Sequence, residues 1–190
     1  MIQPRRRLDA ATRRAQIVEV ATTMLSEGGY NRFTLSHLAE RCELTRAGLS
    51  RHFATREDVF VAVLRFRDQQ DLSAEGVDEL INVASLDDFR RVMRRVVRRN
   101  LEQPELVRLY TLLSAEALAE SHPAHEYFQQ RLTQGCRLLA GILAPWHPEP
   151  DRLTIQIVSF LDGLQQNWLR DPSIDVEAHW ADFEQLMIGS

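Results

Sequence analysis

The feature that most constrains this chain is the spacing of its apolar residues, which recur three and four positions apart along most of its length. Ile17, Ala21, Met24 and Leu25, for example, fall on one face of a helix. No segment shows the sustained alternation, rich in valine, isoleucine and threonine, that marks β-strands. The spacing therefore predicts an all-α fold, which we read as a three-helix head joined to a helical bundle.

Capping residues, glycines and prolines divide this pattern into separate helices. The first helix begins at Asp9 or Thr12 and ends near Glu27, before the pair Gly28 and Gly29. Polar residues precede the next three helices, which begin after Thr34 or Ser36, after Thr45, and at Arg56 with Glu57. Prolines separate longer helices at about 86–102, 104–120, 123–143, 151–170 and 176–188.

The distribution of charge is more informative than the net charge of −4. The first 67 residues hold 12 arginines and seven acidic residues, a balance of +5, whereas the remainder holds 11 arginines and 20 acidic residues, a balance of −9. The first third of the chain is therefore basic and the rest acidic, an asymmetry that the net charge conceals.

Several classes of protein and site are disfavoured by composition. No apolar run reaches the ~18 residues of a membrane span, and no signal-peptide pattern follows the basic start, so we expect a cytoplasmic protein without a membrane partner. Cys42 and Cys136 lie in no metal-type spacing, which predicts two buried thiols and neither metal nor cofactor. His122 and His125 are three apart, but without an evident third ligand a metal pair is the minor alternative.

The segment Leu35–Phe53 has the apolar spacing of a helix-turn-helix. That motif packs two short helices at a steep angle, so it needs a small residue where they cross and apolar residues on each inner face. Ala39 is the small residue. The inward-facing positions are Leu38 and Cys42 before the turn, Leu44 within it, and Leu49 and Phe53 after it.

The polar residues of this segment remain outside, where a DNA major groove can meet them. Thr45 can offer its hydroxyl and a helix N-terminus to a phosphate. Arg46 and Arg51 can be bidentate donors to guanine or partners of phosphates, and His52 is either a DNA contact or an ordinary histidine at a helix end. The DNA-binding residues that we predict are Thr34, Ser36, Thr45, Arg46, Ala47, Ser50, Arg51, His52 and Arg56.

Residues 14–64 resemble the DNA-binding domain of the TetR family of transcriptional regulators. The resemblance is carried by the first helix and by the short segments Gly28-Gly29-Tyr30, Phe33-Thr34-Leu35, Leu38-Ala39 and His52-Phe53. It implies a DNA-binding domain at 1–55, with its motif at about 34–53, and a ligand-binding and dimerisation domain at 56–190. It also implies a homodimer that holds a palindromic double-stranded DNA operator and responds to a small-molecule inducer.

Three positions depart from the family pattern. Glu43 stands where the family usually has glycine in the turn, Ser50 where it often has tyrosine, and Arg56 where it usually has lysine. A non-glycine residue at positive φ costs ~1 kcal/mol, unless the turn is rebuilt locally. Thr34, Thr45 and Arg56 are expected to hold DNA phosphates.

The C-terminal helices contain aromatic and leucine positions with two possible roles. Aromatic residues at 110, 128, 146, 160 and 168 are pocket candidates, although such residues are more often plain core; the predicted ligand set is Tyr110, Phe128, Phe160 and Trp168. Two late helices are more apolar than one buried face requires, which predicts a four-helix dimer bundle. Its predicted interface comprises Leu132, Cys136, Leu139, Leu143, Leu153, Ile157, Leu161 and Leu164.

Two arginine clusters have more than one interpretation. Arg5, Arg6 and Arg7 form either an arm near the minor groove and phosphates or a solvated tail. The doublets between Arg90 and Arg99 are interpreted as a solvated helix face, with an anionic ligand or a second DNA contact as the alternative.

These features together predict a TetR-type repressor that a small-molecule ligand releases from its operator. The alternative is a helical ligand-binding module or enzyme whose helix-turn-helix is purely structural. The sequence contains no nucleophile-base-acid arrangement, glycine-rich phosphate loop or metal-ligand cluster, so we predict no catalytic activity.

Overall fold

A computed structural model describes residues 9–73 and 83–188 and shows helices joined by turns, with no strand among these residues. The predicted all-α fold is confirmed. The helices are α1 (Ala10–Arg32), α2 (Leu35–Arg41), α3 (Arg46–Ser50), α4 (Arg56–Ser73), α5 (Leu86–Leu101), α6 (Pro104–Glu116), α7 (His125–Leu143), α8 (Pro150–Arg170) and α9 (Val176–Met187). Within the described ranges, none of these helices has the length and hydropathy needed to cross a bilayer.

The chain divides into two compact units, residues 1–66 and 67–190, which we call the head and the body. The division falls inside α4. Separate roles for residues 1–55 and 56–190 stay a prediction, as does the arm at Arg5, Arg6 and Arg7, which lies outside the described residues.

Side-chain caps begin the helices of the head. Asp9 Oδ1 accepts a hydrogen bond from Thr12 N at 2.9 Å, Thr34 Oγ1 from His37 N at 3.1 Å, and Thr45 Oγ1 from Gly48 N at 3.0 Å. Each cap satisfies one of the N–H groups that lack a helical partner in a first turn. Thr34 rather than Ser36 therefore caps α2. At the start of α1, the hydrogen bonds from Thr12 hold the pKa of Asp9 below its ordinary value.

The first helix is longer than the sequence predicts. Instead of ending near Glu27, α1 continues to Arg32. Gly29 adopts φ 70° and ψ 176°, a left-handed conformation that glycine enters without steric cost. The glycine pair thus marks a kink within α1 rather than its end.

The core of the head is made by apolar side chains from α1, α2, α3 and α4. Leu49 and Phe53 are 0% and 1% exposed, and Phe60 of α4 is fully buried. The ring of Phe60 lies 5.2 Å from that of Tyr30 and 5.0 Å from that of Phe33. These contacts join α4 to the end of α1 and to the residue that follows it.

In the body, α8 packs against α6 and α7, and α9 packs against α5 and α8. This packing corrects part of the predicted dimer interface. Leu143, Leu153 and Ile157 are at most 1% exposed and Leu164 is 9% exposed, so they are enclosed by their own chain and form the body core with Trp180 of α9. Helical periodicity marks buried faces, but it does not distinguish burial by the same chain from burial by a partner.

The turn between α2 and α3 retains a left-handed residue although it lacks glycine. Glu43 has φ 53°, and the N–H of Leu44 donates to the carbonyl of Ala39 at 2.8 Å across the turn. The turn is therefore not rebuilt, and Glu43 bears the steric cost of a Cβ at positive φ.

We predict that Glu43→Gly stabilises the protein by about 0.5–1 kcal/mol, because glycine removes that Cβ clash. The measurement is the midpoint of urea denaturation followed by circular dichroism. The matched control is Glu40→Gly, inside α2, where the same substitution should cost about 1 kcal/mol. Unchanged midpoints for Glu43→Gly would show that the turn stores no strain.

Candidate nucleic-acid interface and ligand site

Buried contacts between α2 and α3 determine which side chains of the helix-turn-helix remain outside. Leu38, Ala39 and Cys42 are at most 5% exposed, as predicted for the inner face, whereas Leu44 is half-buried. Burial raises the pKa of the Cys42 thiol, which favours the inert protonated form.

The outer side of α3 and the starts of α2 and α4 carry the polar side chains of the predicted DNA-binding set. Those of the predicted DNA-binding set that are exposed are Thr34, Ser36, Thr45, Arg46, Ala47, Ser50 and Arg51, whereas His52 and Arg56 are half-buried. The Ser50 hydroxyl donates to the carbonyl of Arg46 at 3.0 Å and lies 3.4 Å from Nη1 of Arg46. Arg46 therefore extends along the outer side of α3, where its remaining donors are available to a ligand.

Arg56 is held by the head itself. Its guanidinium Nη2 donates to the Tyr30 hydroxyl at 3.0 Å, and its Cζ lies 4.7 Å from the centre of the Tyr30 ring and 5.2 Å from that of Phe60. These contacts fix the side chain at the start of α4. Its predicted contact with a phosphate has to be made by the donors that Tyr30 does not use.

Arg14 of α1 holds the far end of α3, a role that the sequence analysis missed. Its Nη1 donates to the carbonyl of His52 at 2.6 Å, and its Cζ lies 3.9 Å from the centre of the Phe53 ring. A cation at a helix C-terminus satisfies carbonyl groups that lack a helical donor. Arg14 and His52 are 38 positions apart in the sequence, so no local signal indicates this contact.

A polar and aromatic group, which we call the Arg131 cluster, joins three helices of the body. Asp68 of α4 accepts hydrogen bonds from the Tyr127 hydroxyl at 2.7 Å and from Arg131 Nε at 3.0 Å. Nη1 of Arg131 lies 3.2 Å from the Tyr110 hydroxyl, and its Cζ lies 4.7 Å from the Tyr110 ring centre. The Phe128 ring contacts both tyrosine rings, at 5.2 Å from Tyr110 and 4.9 Å from Tyr127.

This environment suppresses ionisation of both tyrosines. Burial raises the pKa of Tyr110, and burial together with the nearby Asp68 carboxylate raises the pKa of Tyr127. Both hydroxyls therefore remain protonated at neutral pH and can donate hydrogen bonds.

The structure separates the four predicted ligand residues into two groups. Tyr110 and Phe128 belong to the Arg131 cluster, whereas Phe160 and Trp168 pack against the body core. The ring of Phe160 stacks on Phe183 at 4.1 Å with an interplanar angle of 11°, so it is already covered by α9. The role of all four residues in ligand binding stays a prediction.

The arginines of α5 are mostly matched by acidic groups. Arg90 pairs with Asp87 and Arg91 with Asp88 in the same helix, while Arg94 and Arg98 pair with Glu184 and Glu177 of α9. Acidic groups of α5 and α9 thus neutralise part of this face, and its interpretation as a solvated helix face stays a prediction.

The two histidines near the start of α7 are engaged with backbone groups. His125 Nδ1 lies 2.8 Å from the carbonyl oxygen of Ala117, and His122 Nδ1 accepts from Ala124 N at 3.2 Å. Over residues 9–73 and 83–188, no group of three or more histidine, cysteine and acidic side chains is arranged to hold a metal ion.

Comparison with known families identifies the head. Residues 17–63 match the family model of the bacterial regulatory proteins of the tetR family. The resemblance predicted from the sequence is thus confirmed for the helix-turn-helix and for parts of the helices on either side. Among curated proteins, none matches this sequence.

Comparison of structures extends the likeness to nearly the whole chain. NalD of Pseudomonas aeruginosa, the secondary repressor of the MexAB-OprM multidrug efflux pump, has a TM-score of 0.64 and 19% identity, over 95% of this chain and 96% of its own. A TetR transcriptional regulator from Rhodococcus sp. RHA1 has a TM-score of 0.66 and 19% identity, over 93% and 97%. FadR of Bacillus subtilis, solved in complex with stearoyl-CoA, has a TM-score of 0.72 and 16% identity, over 92% and 97%. The chain therefore has the fold of TetR-type transcriptional regulators.

We predict that Arg14→Ala weakens binding to specific DNA about tenfold while leaving binding to unrelated DNA nearly unchanged, because the end of α3 loses its charged hydrogen-bond donor. The measurement is fluorescence anisotropy on both DNAs over a salt series. Arg32→Ala, which removes an exposed positive charge from the other end of α1, is the control. A loss that is equal on both DNAs, with a salt slope lower by about one, would instead make Arg14 a phosphate contact.

Proposed function

We propose that this chain is a TetR-type transcriptional repressor that binds a palindromic operator as a homodimer and is released by a small-molecule ligand. The observation that carries the proposal is the exposed polar side of α3, supported from beneath by Leu49 and Phe53, in a segment that matches the tetR family model. Such a helix, presented once by each protomer, suits two successive major grooves.

The proposed DNA contacts are of two kinds, contacts to base edges and contacts to phosphates. Arg46, Ala47 and Ser50 of α3, with Arg51 and His52 directly after it, meet base edges or the adjoining phosphates. Thr34 and Thr45 cap α2 and α3 through their hydroxyl oxygens, so each hydroxyl proton remains available to a phosphate oxygen, as does the neighbouring hydroxyl of Ser36. Arg56 adds a positive charge at the start of α4.

The proposed dimer is formed by the exposed apolar side of α7 and α8. Leu132 and Ile155 are each 50% exposed and Leu138 is 37% exposed, while Cys136, Leu139 and Leu161 are half-buried. Among the described residues, no atom beyond the helix itself lies within 4 Å of a Cβ built on Gly135 or Gly163, so a partner helix can approach closely there. Two such helices from each protomer form a four-helix bundle.

The proposed ligand site is the Arg131 cluster, with Tyr110 and Phe128 as its aromatic contacts. The fold is known to accommodate a ligand, since FadR of Bacillus subtilis was solved with stearoyl-CoA. The cluster includes Asp68 of α4, and α4 begins in the head. A coupling of ~1–3 kcal/mol between ligand and DNA weakens DNA binding several-fold to a hundredfold.

The proposed activity is binding rather than catalysis, and the proposed place of action is the cytoplasm, where the operator is found. The match to regulatory proteins and the fold of transcriptional regulators support this proposal over an enzyme with a structural helix-turn-helix.

The deciding experiment is DNase I footprinting of the purified protein on DNA from upstream of its own and neighbouring genes, with unrelated DNA as control. We expect a protected palindrome bound far more tightly than the control, with affinity falling as salt rises. Equal affinity for every DNA tested, including a selected random-sequence library, would contradict the proposal.

We predict that Arg46→Ala relaxes the base preference of the operator at one position in each half-site and costs about 1–3 kcal/mol there, because a bidentate contact to guanine is lost. The measurement is competition binding with a set of singly substituted operators. Arg32→Ala, at an exposed position at the end of α1, is the control. Unchanged affinity and preference would remove Arg46 from the interface.

We predict that Leu132→Arg converts the dimer to a monomer, because it places a long, charged side chain from each protomer in the proposed bundle and removes an exposed apolar contact. Light scattering after size-exclusion chromatography measures the mass. Leu118→Arg is the matched control, since Leu118 is 81% exposed and lies outside α7 and α8. A dimer that withstands Leu132→Arg but not Leu118→Arg would place the interface elsewhere.

A further inference from the structure

One face of α5 carries an arginine-rich groove that the proposed function does not use. Its volume is about 470 Å³, which falls within the range of small-molecule sites. The described residues that line it all belong to α5 and are one aspartate and five arginines, namely Asp87, Arg90, Arg91, Arg94, Arg95 and Arg98. We call it the arginine groove. None of these residues belongs to the Arg131 cluster.

Two arginines of the groove are held in place by carboxylates of α9. Nε of Arg94 donates to Oε2 of Glu184 at 2.8 Å, and Nε of Arg98 donates to Oε1 of Glu177 at 2.5 Å. Neither glutamate lines the groove. Glu184 is 1% exposed, whereas the side chain of Arg94 is 56% exposed. The carboxylate therefore lies beneath the guanidinium group, and a ligand in the groove meets the positive charge first.

Arg91 and Arg98 retain most of their hydrogen-bonding capacity. A guanidinium group has five N–H donors. Toward the described residues, Arg91 donates through Nη1 to Oδ1 of Asp88 at 3.0 Å, and Arg98 donates through Nε. Their side chains are 67% and 69% exposed. The planar group of each is therefore accessible to phosphate oxygens, which a guanidinium group binds through two parallel hydrogen bonds.

The arginines also form a row of a particular length. Arg91, Arg94 and Arg98 stand at positions i, i+3 and i+7 of α5, so the first and last are about 10 Å apart along the helix axis. Like charges at such spacings repel each other, and a groove lined mostly by one sign of charge concentrates the potential. An anion whose charges extend along the row relieves the repulsion at all three positions, whereas a single phosphate spans only part of it.

We propose that the arginine groove binds a linear oligophosphate of at least three phosphoryl groups, either inorganic or as the phosphate chain of a nucleotide. Arg91, Arg94 and Arg98 are the residues that contact it. Of the two interpretations of the α5 arginines, this is the anionic ligand. A double helix, whose major groove alone is about 12 Å wide, is too large to enter a groove of this volume. The site is separate from the proposed inducer site and does not require that the chain bind DNA.

Isothermal titration calorimetry on the full-length protein, without DNA or magnesium, tests the proposal. The probes are inorganic tripolyphosphate, adenosine triphosphate and orthophosphate at the same ionic strength. We expect one tripolyphosphate to bind per protomer, at least about tenfold more tightly than orthophosphate, with affinity falling as salt rises. Tighter binding of adenosine triphosphate than of tripolyphosphate identifies a nucleotide as the source of the chain, and the reverse order identifies an inorganic oligophosphate.

The double variant Arg91→Gln/Arg98→Gln removes two of the three proposed contacts at exposed positions. We expect it to lose at least about tenfold in affinity for tripolyphosphate, because charged hydrogen bonds to the phosphates are lost. Arg94 is left unchanged, since its removal would leave the buried carboxylate of Glu184 without its cation. Circular dichroism and melting curves check that the double variant folds.

Two further variants locate the binding. Arg108→Gln removes an arginine of α6 that pairs with Glu105, three positions before it, just as Arg91 follows Asp88 by three. Arg46→Ala removes a positive charge from the DNA-binding side of the head. Both should bind tripolyphosphate as the wild type does.

Three results would overturn the proposal: no oligophosphate binding above that of orthophosphate, unchanged affinity in the double variant, or an equal loss in Arg108→Gln or Arg46→Ala. Binding of the double variant to unrelated duplex DNA is measured in parallel. If that binding weakens while tripolyphosphate fails to bind the wild type, the α5 arginines contact DNA and the oligophosphate site is refuted. If no operator is found for the protein, the calorimetry still decides whether the groove binds oligophosphate.

Discussion

A helix of five residues does not persist alone in water, because nucleation costs more free energy than so few hydrogen bonds supply. α3 is such a helix, and it exists because Leu49 and Phe53 are drawn into the core of the head. Thr45 supplies its first turn with an acceptor and Arg14 supplies its end with a donor. The side chains that α3 presents to DNA therefore depend on buried apolar packing beneath them, which DNA does not contact.

In the body, the ion pair between Asp68 and Arg131 has the corresponding role of holding side chains in place. Asp68 neutralises Arg131 and receives the hydroxyl of Tyr127, so one carboxylate of α4 organises side chains from α6 and α7. Arg56 and Asp68 belong to the same helix, the former in the head and the latter in the body. A ligand that competes within the Arg131 cluster therefore acts on the element that also carries Arg56, which gives the proposed coupling a physical route.

Local signals in the sequence were sufficient for the helices, for the capping threonines and for the inner face of the helix-turn-helix, because each depends on residues within a few positions. They were insufficient for contacts across long separations, such as Arg14 with His52 or Arg131 with Asp68, which only the folded chain brings together. Periodicity also assigned Leu153 to a dimer interface, although it is buried by its own chain, since an apolar stripe looks the same in either case. At Gly29, the sequence indicated a break but not that the helix resumes.

The interleaving of buried and exposed positions in α3 has an evolutionary consequence. Leu49 and Phe53 maintain the helix, whereas Arg46, Ala47 and Arg51 are exposed and add little to the core. Substitutions at the exposed positions are therefore nearly neutral for folding. A lineage of such proteins can therefore come to recognise a new DNA sequence through a few mutations, while the buried scaffold stays the same.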